Sequence, residues 1–339
     1  CPFEVLVGTS AGALNAAAIG ARAHSLREAV ESLEEVWSNF RVEQVMQAGS
    51  LTMLRSGPHW MVSLLSAGWI AKPPRSLFDT TPLHRLLARV VPLEQIPAQI
   101  AAGRLRALAV ATTSYTTGQA VAFFDGTSDI QDWHRVRRAG HRRHIDLDVL
   151  MASAAIPFIF PASSIDGNHY GDGAMRQLAP LSPAVHLGAN RVLVIGTRGN
   201  AAATPPTGAV MQAPPSPAHL LGFVLDSLFT DGLSIDLERL NQINRLIVAA
   251  GHTEHRPIRA TVIQPSVDPT VVAMKHERRM PRSIRTLLRT MGAYEARGGL
   301  LVSYLLFDKS YTCELMAMGY ADAHTQRAEI VPYLAPWVT

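Results

Sequence analysis

The chain has 339 residues, of which 47% are hydrophobic and 17% are charged, and its formal net charge is +4. This composition supports a large core and is too poor in charge for a disordered protein. The sequence also argues against nucleic-acid binding, because no long basic face is present. Its two cysteines are too few for a disulfide framework or a metal cluster. No apolar run reaches the ~18 residues that span a bilayer.

The first predicted element is a buried strand, a tight turn and a helix around the Gly-x-Ser-x-Gly pentad at residues 8–12. Three apolar residues precede the pentad, and an Ala-rich helix is predicted over residues 13–23. We expect Gly8 and Gly12 to leave room where a side chain would clash. Ser10 would then lie at the apex of a nucleophile elbow, at the positive end of the helix dipole. The alternative is a Gly-rich turn whose serine only caps the helix.

Helical spacing next predicts an amphipathic helix over residues 26–40. The apolar stretch 51–70 is consistent with a core helix pair or with a flap over an apolar substrate site. A helix is predicted to begin at a Thr80 cap, followed by Pro82, and to run to Val90. A buried strand over 105–113 and a returning strand over 120–124 predict a hairpin.

Residues 134–144 are densely basic, which indicates either a solvated loop or a contact for anionic lipid headgroups. A helix is predicted over 146–155 and a short extended piece over 158–161. The Asp-Gly pair at 166–167 predicts a turn between two strands. Asp172 follows directly, between two glycines that would leave its carboxylate unobstructed, although an Asp-Gly turn is the simpler interpretation.

The rest of the chain continues the alternation of strands and helices. A buried strand is predicted over 191–196 and a further strand over 259–264. Helices are predicted over 220–250, 281–291 and 311–328 (with Gly319 as a break), a loop over 201–217, and helix or strand over 300–304. This alternation predicts an α/β fold: a three-layer α/β/α sandwich with a mostly parallel central sheet.

A serine hydroxyl needs a base to act as a nucleophile at neutral pH. In an α/β-hydrolase esterase the base is a histidine late in the chain, here one of His252, His255 or His324. The other choice is a direct carboxylate base, for which Asp172 is the candidate.

The chain resembles the patatin-like phospholipase family in several motifs that occur in the family's order. They are the elbow and its helix start at 8–16, Leu-Phe-Asp-Thr-Thr-Pro-Leu at 77–83, Ala-Ser-Ala-Ala-Ile-Pro-Phe-Ile-Phe-Pro at 152–161, and Asp-Gly-Ala at 172–174. Two later segments, 237–244 and 303–308, look like a bacterial subgroup.

The resemblance implies a lipid acyl hydrolase of the phospholipase A or lysophospholipase type that needs neither metal nor cofactor. Ser10 would attack a lipid ester and form an acyl-enzyme, and Asp172 would act as the base in place of a histidine. The backbone N–H of Ala11 would supply one oxyanion donor, with Gly8, Gly12 and Gly173 shaping the site. A third possibility is a catalytically silent lipid-binding module.

One departure from the family concerns its Gly-rich oxyanion loop, which we expect to lie upstream of Cys1 together with a first strand and any targeting signal. We expect a catalytic core over residues 1–200 and an extension of helices and strands over 201–339 packed on the same domain. A cytoplasmic location with peripheral membrane contact is expected, through the apolar stretch 60–70 and the basic run 134–144.

Overall fold

A computed structural model describes residues 1–47, 76–198, 214, 216–251, 256–294 and 299–334, and of 228–231 the backbone alone. Several predictions therefore lie outside the described residues. They are the core helix pair or flap at 51–70, most of the loop at 201–217, and the candidate bases His252 and His255.

A seven-stranded sheet forms the centre of the molecule, in the order β4-β5-β3-β2-β7-β6, with β1 also paired to β2. Its strands are β1 Val5–Thr9, β2 Ala107–Ser114, β3 Ala120–Gly126, β4 Trp133–Arg135, β5 Arg138–Arg142, β6 Ser163–Ile165 and β7 Asn168–Asp172. Within the described chain, a separate parallel pair joins β8 Arg191–Ile195 to β9 Arg259–Ile263.

The sheet is mixed, so the expectation of a mostly parallel sheet is wrong while the α/β class is confirmed. The pairs β1–β2 and β3–β5 are parallel, whereas β2–β3, β2–β7, β4–β5 and β6–β7 are antiparallel. The reason is local: three hairpins join consecutive strands by short turns, and such turns permit only antiparallel pairing.

Helices cover the sheet and extend the molecule beyond it. The α-helices are α1 Ala11–Ala21, α2 Leu26–Ser38, α3 Thr81–Val90, α4 Ile96–Ala101, α5 Leu147–Ser153, α6 Ser182–His186, α7 Pro217–Ala250, α8 Pro269–His276, α9 Arg282–Thr290, α10 Gly299–Leu305, α11 Lys309–Thr325 and α12 Arg327–Leu334. A search of the described helices for a segment that could span a bilayer finds none.

Both faces of the sheet are buried, because successive side chains of a strand point to opposite sides. On β2, Leu108 and Val110 join the large core that includes α1 and α5. Ala107 and Ala109 point the other way and pack with Phe124 and Trp133. This two-sided burial explains why β2 is a continuous apolar run rather than an alternating one.

The helix predictions at 26–40 and 80–90 are confirmed by α2 and α3, with one change of detail. The Thr80 side chain makes no capping hydrogen bond. Asp79 Oδ1 instead accepts hydrogen bonds from the Thr81 backbone N–H (2.9 Å) and the Thr81 hydroxyl (2.7 Å). The acceptor therefore comes one residue earlier than predicted.

Other predictions are wrong in form or burial. The basic run 134–144 is largely a hairpin, β4–β5, rather than a loop, and residues 157–160 form turns rather than an extended piece. β1 is half-buried apart from the buried Gly8, and β8 is half-buried to exposed, whereas both were expected to be buried. Gly319 lies inside α11 and does not end it, and the ambiguous segment at 300–304 is helical.

The C-terminal elements pack against the N-terminal ones. The Thr312 hydroxyl of α11 donates a 2.6 Å hydrogen bond to the backbone oxygen of Trp37 in α2. The division into a core over 1–200 and an extension over 201–339 stays a prediction.

Candidate active site

The strands β1 and β7 share one edge of β2 and meet there end to end. Thr9, the last residue of β1, pairs with Ala111, and Asp172, the last residue of β7, pairs with Thr112 on the next position of β2. Because β1 runs parallel and β7 antiparallel to β2, their carboxyl ends converge. This register brings Ser10 and Asp172 together, although neither strand is paired with the other.

Ser10 occupies a strained turn between β1 and α1. Its backbone has φ 54° and ψ −129°, a combination that costs a non-glycine residue free energy and recurs at functional sites. Its side chain makes no capping hydrogen bond to the helix, so the interpretation of Ser10 as a simple helix cap is wrong.

The two glycines of the pentad differ in the space around them. A Cβ on Gly8 would lie 2.4 Å from Ala13 Cα, so the elbow requires glycine there. A Cβ on Gly12 would meet nothing within 4 Å, and the prediction that Gly12 also relieves a clash is wrong. The reason is that Gly12 faces outward from the first turn of α1.

A buried hydroxyl that sequence analysis missed holds the elbow in place. Ser153 Oγ accepts a hydrogen bond from the Ser10 backbone N–H (2.9 Å) and donates one to the Ala111 carbonyl oxygen (2.7 Å). Ser153 is completely buried at the end of α5. It stands inside the motif at 152–161, but that motif does not indicate a contact with the elbow.

Asp172 is fixed by its backbone and by one of its carboxylate oxygens. In the backbone, the Asp172 N–H donates to the Ala155 carbonyl oxygen (3.1 Å), and the Asp172 carbonyl oxygen accepts from the Thr113 hydroxyl (2.8 Å). In the side chain, Oδ1 accepts a hydrogen bond from the Ala174 N–H (2.9 Å). Gly173 permits this geometry, because a Cβ there would lie 2.3 Å from the Ala111 carbonyl oxygen.

The second carboxylate oxygen, Asp172 Oδ2, is buried and accepts no hydrogen bond that meets standard geometry from the described residues. Burial raises the pKa of Asp172 to about 7, while the Ser10 hydroxyl and the Ala174 N–H oppose the rise by stabilising the carboxylate. The Ser10 hydroxyl is therefore close enough to act on the charge of Asp172. A buried carboxylate with a free oxygen and a pKa near neutrality is suited to accept a proton.

The predicted oxyanion donor, Ala11, lies at the exposed start of α1. Its N–H is one of the first-turn donors that a helix leaves without an internal partner. Next to the elbow, the Thr9 hydroxyl donates a 2.7 Å hydrogen bond to Gln177 Oε1, which ties β1 to the turn after Asp172.

No histidine of the described chain makes a hydrogen bond to Ser10 or Asp172. His324, one of the proposed triad bases, lies in α11 and stacks on Tyr320. Within the same residues, no group of three or more potential ligand side chains is placed to hold a metal ion.

A cavity of about 550 Å³ lies elsewhere, and its lining includes neither Ser10 nor Asp172. It is an open cleft between α3 and the start of α5, lined in part by His84, Asp125 and His144. This cleft therefore does not mark the candidate site, whereas the strained elbow and the buried carboxylate do.

Comparison with known families gives one match, to the family described as patatin-like phospholipase, over residues 1–185. The chain belongs to the patatin-like phospholipase family. The elbow, Ser153 and Asp172 all lie inside the matched segment. A comparison with curated proteins found no match. As a patatin-like protein the chain is placed among hydrolases that act on lipid substrates.

Proposed function

We propose that this patatin-like protein cleaves carboxyl esters of lipids through a Ser10–Asp172 dyad and an acyl-enzyme. The observation that carries the proposal is the convergence of the two residues on one edge of β2, with Asp172 Oδ2 buried there and without a hydrogen-bond partner among the described residues. The preferred substrates are phospholipids or lysophospholipids, an assignment that rests on family membership.

In the first half of the reaction, Ser10 Oγ attacks the ester carbonyl carbon while Asp172 Oδ2 takes the hydroxyl proton. The tetrahedral intermediate places its negative oxygen at the N-terminus of α1, where the Ala11 N–H can donate to it. Collapse of the intermediate breaks the bond to the alcohol, which leaves with the proton held by Asp172. Ser10 then carries the acyl group.

In the second half, water replaces the alcohol at the acyl-enzyme. Asp172 removes a proton from the water, whose oxygen attacks the acyl carbon, and the intermediate again forms beside Ala11. Breaking the bond to Ser10 Oγ releases the fatty acid, and the proton returns from Asp172 to the serine. The dyad ends in its starting state, with no external reactant other than water.

The test combines labelling by a fluorophosphonate probe with hydrolysis of a soluble p-nitrophenyl ester. Ser10→Ala should abolish labelling, and Ser10→Ala and Asp172→Asn should each lower turnover by about 10³-fold or more. The matched controls are Ser163→Ala, at a half-buried serine of β6, and Asp125→Asn, at a buried aspartate of β3. Both variants should hydrolyse the ester at the wild-type rate.

Three outcomes would contradict the proposal. A histidine triad would be indicated if hydrolysis survives Asp172→Asn but is lost when one of three histidines is replaced by alanine. These are His252, His255 and His324. Wild-type protein that neither labels at Ser10 nor turns over the ester would indicate a silent lipid-binding module. Labelling at another serine would move the nucleophile elsewhere.

A further inference from the structure

The hairpin formed by β4 and β5 projects an apolar residue at its tip. The two strands are joined by Val136 and Arg137, and Val136 is 91% exposed. Arg135 and Arg137 flank it and are exposed, as is His134. Arg137 has φ 59°, in the left-handed region, which tightens the turn and presents the valine outward.

The charged side chains at the base of this hairpin have partners in the protein, whereas the arginines at its tip have no carboxylate partner among the described residues. At the base, the Arg142 guanidinium donates to the carbonyls of Gly126, Thr127 and Ile130, and His141 pairs with Asp132. At the tip, the described residues offer no carboxylate partner to Arg135 or Arg137. The base is thus structural, whereas the tip carries charges that the described chain leaves uncompensated.

The hairpin lies beside the middle of α7, which also presents apolar side chains to solvent. Trp133 of β4 stacks on His186 of α6, with ring centroids 4.9 Å apart, and the Leu181 N–H just before α6 donates to the Asp236 side chain, so α6 connects the hairpin to this part of the helix. Ile235 and Ile243 are exposed here, two turns apart along α7. With Arg239 between them, they form one helical face that is apolar and basic.

This face adjoins the candidate active site. A Cβ on Gly232, one turn before Ile235, would lie 2.6 Å from the Gln177 backbone oxygen, and the Gln177 side chain accepts the hydrogen bond from Thr9 beside the elbow. The Asp236 side chain also accepts a 2.9 Å hydrogen bond from the Leu181 N–H. The helix is therefore fixed to the segment that follows Asp172.

We propose that the hairpin tip Arg135–Val136–Arg137 and the Ile235–Arg239–Ile243 face of α7 together form a surface that docks on a bilayer containing anionic lipid. The arginines meet lipid phosphates, and the valine and isoleucines enter the apolar layer below them. Charge complementarity carries the choice of partner, because exposed arginine lies beside exposed aliphatic side chains at both parts of the surface, and the two tip arginines have no carboxylate partner among the described residues. This docking does not depend on the chemistry at Ser10.

The test is flotation of the full chain with vesicles of phosphatidylcholine, with and without phosphatidylglycerol. We expect wild-type protein to bind the anionic vesicles and to be released by high salt. Arg135→Gln with Arg137→Gln should weaken binding by about 30-fold, at roughly fivefold for each arginine. Val136→Asp should weaken it by about tenfold or more, because it removes the apolar side chain and adds a negative charge between the two arginines.

Matched controls separate this surface from general charge and hydrophobicity. Arg278→Gln with Arg279→Gln removes two adjacent exposed arginines, and Val271→Asp alters an exposed valine of α8. Both should bind as wild type. Circular dichroism and thermal unfolding should show that every variant is folded.

The proposal is overturned if wild-type protein ignores anionic vesicles or if the tip variants bind as well as the controls. It is also overturned if the arginine pair changes retention on heparin but not on vesicles, because the surface would then serve a soluble polyanion. Hydrolysis of the soluble ester should be equal in wild type and tip variants. A failure of docking is therefore distinguishable from a failure of the Ser10–Asp172 proposal.

Discussion

Ser153 Oγ accepts a 2.9 Å hydrogen bond from the Ser10 backbone N–H, although 143 positions separate the two residues in the sequence. The same hydroxyl donates to the Ala111 carbonyl oxygen on β2. One buried side chain thus links the elbow to the central strand and to α5. Since Ser10 holds a strained backbone conformation, this link helps to stabilise it.

Replacing Ser153 with alanine should therefore affect both stability and the elbow. The substitution removes the Ser153 hydroxyl as hydrogen-bond partner of the Ser10 N–H and the Ala111 carbonyl. A buried polar group without a partner lowers the free energy of unfolding by about 1–3 kcal/mol. We expect lower stability to urea and slower fluorophosphonate labelling of Ser10. Ser114→Ala is the matched control, because Ser114 is also buried and accepts a backbone hydrogen bond, from Thr117. Equal labelling rates in the two variants would contradict a role for Ser153 at the elbow.

The two pentad glycines should respond oppositely to alanine. Gly8→Ala places a Cβ 2.4 Å from Ala13 Cα, so β1 and α1 must separate and the protein should lose several kcal/mol of stability. Gly12→Ala meets open space in the first turn of α1 and should be neutral or stabilise by up to about 1 kcal/mol. Thermal unfolding of the two variants measures this difference. A destabilised Gly12→Ala protein would argue against the described position of α1.

The rate of ester hydrolysis should follow the ionisation of Asp172. A general base must be ionised, and burial raises the pKa of this carboxyl to about 7. We therefore expect kcat/KM to rise with pH through about 7 and to level off above it. Asp125→Asn should keep this profile. A profile that is flat from pH 5 to 9 would show that Asp172 is not the base.

Asp172 should also make folding stability depend on pH. Its pKa is about 7 in the folded protein and ~3.9 in an unfolded chain, so the folded state binds the proton more tightly. Stability from this group is fully present below about pH 4 and is lost as pH rises through about 7, a change on the order of 4 kcal/mol. In Asp172→Asn this part of the pH dependence should vanish, as urea unfolding across that range can show. If the free energy of unfolding depends on pH in Asp172→Asn as it does in the wild type, the Asp172 carboxyl is solvated in the folded protein.

Ser10→Ala should shift the titration of Asp172 without any need for turnover. The Ser10 hydroxyl opposes the rise in the pKa of Asp172, so its removal should raise that pKa further. Carbon-detected NMR of labelled aspartate carboxyl groups measures the change directly. Ser163→Ala provides the baseline. No difference between the two variants would show that the serine and the carboxylate do not interact.

Those parts of the fold that local patterns determine are predictable from the sequence. The hairpin between β2 and β3 and the Asp166–Gly167 turn follow from apolar runs and turn chemistry, and both residues of that turn have positive φ. The strand direction was mispredicted because an alternation of helices and strands does not reveal how many strands are joined by short turns. The mixed sheet arises from those turns.

The β4–β5 hairpin was misread because charge dominates its sequence. Its strands are held by packing that composition does not show: Trp133 covers Gly140, where a Cβ would lie 2.1 Å from the indole ring. Within the candidate site, Ser10 and Asp172 stand in recognisable motifs. Ser153 also stands in a family motif, at 152–161, but its role was not predicted because that role depends on the contact of α5 with the elbow.

The end-to-end arrangement of β1 and β7 on β2 has a consequence for protein synthesis. Ser10 leaves the ribosome before Asp172, and the two side chains cannot meet until β2, β3 and the β6–β7 hairpin have been translated and docked. A nascent or half-folded chain therefore holds an isolated hydroxyl. Completion of the sheet is the event that assembles the pair, so an incomplete chain cannot bring the two groups together beside cellular lipids.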